Sequence, residues 1–567
     1  MTEPFAGDSP SGEHSERALA GRQRYEARRR PGVWLLYTAA AMLVALVVVR
    51  NADTLDHAVR NIITLIVSFV GLMCLASWCA RQRRWPRALR WAPLATILTL
   101  IVITAILFRI DNVSGELVPV LRPRWSPRPD QLLEQAAGKP SGSRVELPPA
   151  NKNDFIQFLG AQRDNSAQPL PLEGPIEPRL HWKHKIGGGW SAFSTLGDYA
   201  YTLEQRGPDE LVTCYRVSTG DLIWSHSRAA RHSSILGGVG PRSTPTIDSG
   251  KVYAMGATGI FRCLDAATGK LLWEHRLQEE FGLTQAEDEG LVAWGRSGSP
   301  LVVDNLVVVP GGGAQARPPA SLVAYDKRTG KKVWEGGRHQ VAYASPNVCT
   351  IAGQRQIVSV NQDAITGHDI ATGKVLWEHP WPGSSTSNAN ASQALTIGDD
   401  RVFVSKGYTG GASVFEVLRR GDKWATRTIW DITRVMKTKF TNVAILDGYA
   451  FGLSDGILEC IRVKDGKRRW KSGRFGHGQM LRSGKVLIVL GEEGEVALVA
   501  ADPEDYRELQ RFQAIEGKTW NNPAINRDCL LLVRNGEEAA CYELLPAQPG
   551  PTDAVPKAAA QAANPPK

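Results

Sequence analysis

Cysteine is the first place to look for chemistry in this chain, which carries eight of them. None stands in a CxxCH arrangement that would attach haem, and no HExxH or paired Cys/His spacing offers a metal site. Cys214, Cys263, Cys460 and Cys541 occupy one position of a recurring phrase, where a buried thiol acts as a small hydrophobe. Thiols at equivalent positions of different repeats do not come within disulfide reach. Cys529 and Cys541 flank a turn at Asn535-Gly536, and one register of that hairpin would let them pair. Pro310-Gly311-Gly312-Gly313 lacks the Gly-Lys-Ser/Thr that completes a phosphate loop, so it reads as a strand connection.

A second set has ligand-binding rather than catalytic character: Trp190, Arg242, Arg296, Tyr343, Asn390, Lys439, His477, Trp520 and Asn521. Each stands where the chain enters a short apolar run. Cations, amides and aromatics together suit an anionic ligand or a peptide, or they serve only to solvate a funnel and satisfy loop backbone. Asp and Glu are scarce among them, which weakens any Ca²⁺ site. No catalytic constellation is evident.

Residues so far apart meet only if the chain is a closed ring of repeats, and the sequence contains such a repeat. CLDAATGKLLWEH at 263–275 returns as CYRVSTGDLIWSH, AYDKRTGKKVWEG, GHDIATGKVLWEH and CIRVKDGKRRWKS. Its Trp positions, 224, 273, 334, 377 and 470 with Trp430 between the last two, recur every 40–61 residues. Short alternating runs separated by Gly, Asn and Asp indicate strands, and a period near 40–50 residues built from strands signals a propeller. Residues 243–277 divide into four strands: STPTIDS, KVYAMGA, GIFRCLDA and KLLWEHRL. Openings of this kind occur eight times, at 191, 243, 297, 344, 390, 441, 477 and 521, so an all-β, eight-bladed propeller is expected. The eighth blade lacks an outer strand, and RLHWKHKIG at 179–187 is available to supply it and close the ring.

The phrase resembles the tryptophan-docking motif of the eight-bladed quinoprotein (pyrroloquinoline quinone, PQQ) dehydrogenase superfamily. It is also similar to the PQQ-like repeats of the outer-membrane-protein assembly lipoprotein. FLGAQRDNSAQ and GVGPRSTPTI resemble an uncharacterised membrane or periplasmic branch. The resemblance covers about residues 155–545. It implies that each Trp docks on the Thr-Gly peptide of a neighbouring blade and on a small residue, giving structural roles to Gly220, Trp224, Gly269, Trp273, Gly330, Trp334, Gly373, Trp377, Gly466 and Trp470. Blades five and seven depart from it, with Arg420-Gly421 and Pro503-Glu504 in place of Thr-Gly. The adjacent Cys pair of many quinoprotein alcohol dehydrogenases is absent.

The net charge of +10 is unevenly placed. Residues 1–128 hold 17 Arg, no Lys and 9 acidic residues, a balance of +8, which leaves the remainder near neutral. Nucleic-acid binding by the large domain therefore lacks its electrostatic basis. Three apolar runs, Val33–Val49, Ile62–Ala80 and Ala92–Phe108, are each long enough to approach a membrane span. Arg clusters before the first and between the second and third point to a cytoplasmic N-terminus and an extracytoplasmic propeller. No ionisable residue interrupts the runs, so they read as an anchor.

The expected organisation is a cytoplasmic Arg-rich tail (1–31), a three-helix transmembrane anchor (32–110), a Pro-rich linker (111–178) with a short helix near Asp130–Ala137, the propeller (179–545) and a disordered tail (546–567). The expected function is a bacterial inner-membrane-tethered, periplasmic binding or scaffolding module for protein or envelope partners, without cofactor or catalysis. The alternative is a membrane-bound PQQ- and Ca²⁺-dependent dehydrogenase of alcohols or sugars.

Overall fold

The computed structural model describes residues 31–51, 57–133, 144–171, 176–383, 388–408 and 410–546. The Arg-rich tail and the C-terminal tail lie outside them. The chain divides into two compact units: Met1–Asp111 with Glu116–Ser126, and Asn112–Gly115 with Pro127–Lys567.

The first unit contains helices Pro31–Asn51, His57–Arg81 and Arg87–Leu107. Two helices, not the three expected, are both long and apolar enough to cross a membrane: His57–Arg81 and Arg87–Leu107. The first helix, Pro31–Asn51, has 21 residues, and within it Leu36–Asn51 is a shorter apolar stretch. Apolar side chains stand exposed along these helices, among them Leu43, Val48, Leu65, Leu100 and Ile106. Arg87–Leu107 buries no residue.

The second unit is an eight-bladed propeller of antiparallel sheets. The innermost strands are Ser194–Leu196, Thr246–Asp248, Leu301–Val303, Asn347–Ile351, Leu395–Ile397, Ala444–Leu446, Gln479–Ser483 and Ala524–Ile525, all within the eight expected openings. Blade two illustrates how sequence becomes sheet. Thr246–Asp248, Lys251–Met255, Ile260–Asp265 and Leu271–Arg276 form it in order, and the turn between the last two places Gly269 at φ 71°, a region open to glycine without steric cost. In blade eight the outer strand is Ile176–Lys185, which pairs with Glu538–Pro546 in a register that sets Trp182 opposite Cys541. That pairing joins the two ends of the ring and removes an open edge.

Packing runs between blades rather than into one central core. Tyr201, Val212, Cys214 and Trp224 of blade one share a buried cluster with Ile247, Val252, Ala254 and Leu264 of blade two. Motif Trp residues face the small residue of their own blade, as in Cys214↔Trp224 and Cys263↔Trp273, and in the regular blades lie over the Gly of the next. A methyl built on Gly269 would come within 2.5 Å of the Trp224 ring, and one on Gly330 within 2.7 Å of Trp273. Gly373 lies against Trp334 and Gly220 against Trp182. The indole N–H groups of Trp182, Trp224, Trp334, Trp430 and Trp470 donate to carbonyls of the following blade, those of Val217, Ala266, Ile370, Val463 and Asp502.

The two irregular blades behave differently. Blade seven receives Trp470 through the Asp502 carbonyl at 2.8 Å despite its Pro503-Glu504. Blade five does not receive Trp377, whose N–H turns to Gln356 Oε1 of its own blade at 2.6 Å. Cys529 and Cys541 are both free thiols.

The stretch read as a spacer enters the ring instead. Pro129–Gln131 forms a single 3₁₀ turn, and the remainder of the expected helix lies largely outside the described residues. Residues 154–170 then thread the channel. Ser166–Ala167 adds in parallel to the inner edge of blade seven, and Ile156 O accepts from Ile247 N of blade two. Leu159, Arg163 and Asn165 adopt φ of 64°, 54° and 63°, a costly conformation that the surrounding contacts must hold.

Candidate functional site

Inner strands crowd together at the axis, so only small polar residues fit where they begin, and they form a belt. Ala192 N donates to Thr244 Oγ1, Thr244 N to Ser299 Oγ and Ser299 N to Ser345 Oγ, at 2.9–3.1 Å. Gln393 links Ser345 O to Asn442 Oδ1, Gln479 reaches Phe440 O, and Asn521 Nδ2 returns to Ser191 O at 2.7 Å. The belt uses up backbone polarity and leaves larger side chains free to stand above it.

Those side chains are aromatic and form two arcs. Trp190 and Trp520 lie 5.0 Å apart, with Phe440 4.6 Å beyond Trp520. On the other side Trp294 stacks on Tyr343 at 4.9 Å and approaches Tyr408 at 6.0 Å. Between them is a cavity of about 150 Å³, to whose lining Phe158 of the threaded segment also contributes. None of its lining side chains is a carboxylate. Lys518 Nζ sits 3.8 Å over Trp520 and 4.9 Å over Trp190, the face-on placement in which an aromatic ring attracts a cation.

A hairpin, Ser233–Ser234 paired with Gly238–Val239, overhangs this mouth. Trp190 Nε1 donates to Gly237 O at 2.6 Å, and Arg242 donates to the carbonyls of Gly237, Gly238 and Gly240. The hairpin tip exposes Ile235 at 63% and Leu236 at 45%. Burial lowers the Arg242 guanidinium to about 10 and the neighbouring His232 imidazole to about 3, so His232 is neutral at pH 7.

Of the nine sequence candidates, Trp190, Arg242, Tyr343 and Trp520 line the cavity. The other five hold the wall behind it. Arg296 is paired with Asp288 at 2.7 Å and donates to Gly311 O. Asn390 bonds the carbonyls of Asn361, Gln362 and Trp381. Asn521 is part of the belt, the His477 backbone N–H donates to Glu492 Oε2 at 2.9 Å, and Lys439 Nζ reaches Gly115 O at 3.2 Å. Sequence reasoning missed Leu236, Trp294, Tyr408, Phe440 and Phe158. Phe440 adjoins a chosen residue, Trp294 lies two before Arg296, and Phe158 opens FLGAQRDNSAQ, a segment noted for its resemblance but read as spacer; Leu236 and Tyr408 gave no signal.

Comparison with known proteins follows the repeat. Residues 208–472 match the family model of the outer membrane protein assembly factor BamB. The ring is a PQQ-like repeat propeller. A stretch of 158 residues is 28% identical to BamB of Xanthomonas campestris pv. campestris, covering 28% of this chain and 34% of that protein. A stretch of 166 residues is 29% identical to the quinohemoprotein alcohol dehydrogenase ADH-IIG of Pseudomonas putida, covering 27% of this chain and 21% of that one. The chain thus spans about a third and a fifth of these relatives. Among solved structures, BamB from Moraxella catarrhalis aligns at TM-score 0.46 and 14% identity, over 65% of this chain and 100% of that one. A europium-containing methanol dehydrogenase aligns at 0.40 and 12%, over 69% and 91%.

The donors at the mouth of the PQQ-like ring do not suit a Ca²⁺-quinone pair. Ca²⁺ takes 6–8 oxygen ligands. Glu492, at the rim, already accepts from Gly115 N, His477 N and Trp520 Nε1. Among the described residues no group of three or more His, Cys, Asp or Glu is placed to hold a metal.

Proposed function

We propose that the propeller is an envelope-associated binding and scaffolding module that receives a protein partner at its channel mouth. The observation carrying this reading is the aromatic-rimmed cavity with the exposed Ile235 and Leu236 beside it. Rigid aromatic anchors next to an exposed apolar tip have the composition of an interface hot spot. The similarity to an assembly factor supports the same reading.

In this reading the N-terminal helices tether the ring to the bacterial inner membrane. Helix Pro31–Asn51, with the same 21 residues as Arg87–Leu107, crosses along with the other two in this reading, giving an odd number of spans with the basic segments in the cytoplasm and the propeller in the periplasm. The apolar side chains exposed along all three helices support a lipid-facing role. A photo-crosslinking amino acid at position 236 should give a discrete protein adduct in cells, and one at the outer-strand position 333 should not. Equal labelling at both would overturn the binding reading. A periplasm-dependent reporter fused after residue 545 should be active, and its silence would overturn the orientation.

The stretch similar to the quinohemoprotein enzyme favours a second reading, a membrane quinoprotein dehydrogenase. Adding PQQ and Ca²⁺ to the purified protein distinguishes the two. Saturable quinone absorbance with dye reduction on alcohols or sugars would establish the enzyme.

A further inference from the structure

Three backbone groups of one short segment are held at the rim of this mouth by three charged side chains. Asn112–Gly115 belongs to the propeller unit. The Val113 carbonyl accepts from Lys518 Nζ at 2.9 Å. The Gly115 carbonyl accepts from Lys439 Nζ at 3.2 Å, and the Gly115 N–H donates to Glu492 Oε1 at 2.5 Å. Val113 and Gly115 are both buried. A methyl on Gly115 would lie 2.3 Å from His477 Cδ2, so no side chain fits there while the imidazole keeps its place.

We infer that the mouth recognises, through its main chain, a peptide of the form apolar-x-Gly that leaves a strand and enters a turn, and that Val113-Ser114-Gly115 is a built-in occupant a partner segment must displace. The inference rests on the mouth-binding reading above and names its ligand. The spacing carries it: carbonyls two residues apart meet two ammonium groups, and the intervening geometry leaves the second residue's N–H for a carboxylate. These are charge-assisted bonds to groups that every peptide has, so specificity comes from the two slots. One slot buries an apolar side chain and the other admits only glycine. Lys518 also lies over Trp520 and Trp190, which couples backbone capture to the aromatic arc. A tethered occupant competes at an effective concentration in the millimolar range, so the unmodified chain is largely self-occupied and only a presented, multiply anchored partner displaces the segment.

The test uses the full chain in detergent and a fluorescein-labelled synthetic peptide, NVSGELV, copied from residues 112–118. Gly115→Val should expel the native segment, and the variant should bind the peptide at least about tenfold more tightly than the unmodified chain. A peptide with Val in place of its Gly should not bind, and Lys518→Met should weaken binding several-fold in the Gly115→Val background. Equal affinity of both chains for the peptide, or equal affinity for the Gly- and Val-containing peptides, would overturn the inference. Should Gly115→Val fail to fold, hydrogen exchange of the Gly115 amide in the unmodified chain is read with 1 mM peptide, roughly the effective concentration of a short tether. Faster exchange supports displacement and unchanged exchange refutes it. Partner adducts at position 236 that vanish with Trp294→Ser, together with a failed peptide assay, would sink this inference and leave the mouth-binding reading standing. Adducts indifferent to Trp294→Ser would remove that reading itself.

Discussion

The same stretch of chain visits the channel twice, and the two visits are held by different physics. Residues 154–170 are built in. Arg163 is 1% exposed and donates to Ser299 O, Pro300 O and Gln157 Oε1. Asp154 accepts from Gly197 N, Asn151 N and the Arg527 guanidinium, and two residues join blade seven as an extra strand. Asn112–Gly115, at the rim, spans the end of the strand Phe108–Val113, whose two-stranded sheet is separate from the blades, and its main chain bonds side chains of Lys518, Lys439 and Glu492; among the described residues no blade strand pairs with it. Buried side-chain charge fixes the first segment, because withdrawing it would strand the partners of a desolvated ion. The second can leave by exchanging its bonds for those of another peptide or of water. The threaded segment is structure, and the rim segment belongs to the proposed site.

The largest effect that would break this contrast is at Arg163. Burial without a carboxylate partner lowers its guanidinium to about 9, so the charge is held by carbonyl dipoles alone. Arg163→Ala takes a donor from Ser299 O, Gln157 Oε1 and Pro300 O, of which only Pro300 O keeps another, Thr246 Oγ1, and should cost about 3 kcal/mol, within the range for breaking a buried charged network. Chemical denaturation with tryptophan fluorescence measures it, and a loss below about 1 kcal/mol would mean the threaded segment is as replaceable as the rim segment. Asp154→Asn comes next. It keeps the shape but removes the charge facing Arg527, with an expected loss of about 1–2 kcal/mol.

How much of this was legible in the sequence follows from the same distinction. The blades could be read because a Trp, a Gly turn and a small residue must recur at fixed offsets for indoles to pack between sheets, as Trp224, Gly269 and Cys214 do. The exception at Trp377 was foreshadowed by Arg420-Gly421, although its alternative partner Gln356 was not. The mouth was half legible. Entry loops differ in length from blade to blade, so choosing residues by position found Trp190 and Trp520 but took Arg296 for Trp294 and Lys439 for Phe440. The threaded segment was illegible, since residues that match the channel of a ring have no periodicity of their own. It lies between Pro-rich stretches that read as a linker.

Acid should act on the mouth before it acts on the threaded segment. His232 is 5% exposed and lies behind the overhanging hairpin, with Arg242 and Asp288 as its charged neighbours. Burial, reinforced by Arg242 and opposed by Asp288, pushes its imidazole down to about 3, whereas an unfolded histidine titrates near 6.5. On acidification the unfolded chain binds this proton first. The contribution is therefore complete above about pH 6.5 and is lost as the pH falls towards 3, at about 1.4 kcal/mol per unit of difference. Between pH 6.5 and 4 the fluorescence of Trp190 and Trp294 should drift while the Asn165 amide stays protected from exchange. His232→Gln should abolish the drift. Loss of both signals together would show that the two ends unfold as one.

The smallest stability effect belongs to Lys518, and it separates a site from a scaffold most sharply. Its ammonium lies over two indoles and bonds one carbonyl, interactions worth about 0.5–1 kcal/mol at a partly exposed position. Lys518→Met keeps the aliphatic stem against the rings and should lower stability by less than about 1 kcal/mol, against the roughly 3 kcal/mol expected for Arg163→Ala. Hydrogen exchange at Val113 to Gly115 should nonetheless rise several-fold, because the segment loses one of its three charged holds while the blades lose none. A scaffold residue would show the reverse, with a large shift in the denaturation midpoint and no local change at the rim. The ratio of local exchange to global stability, measured for both substitutions, therefore places each residue on one side of the contrast.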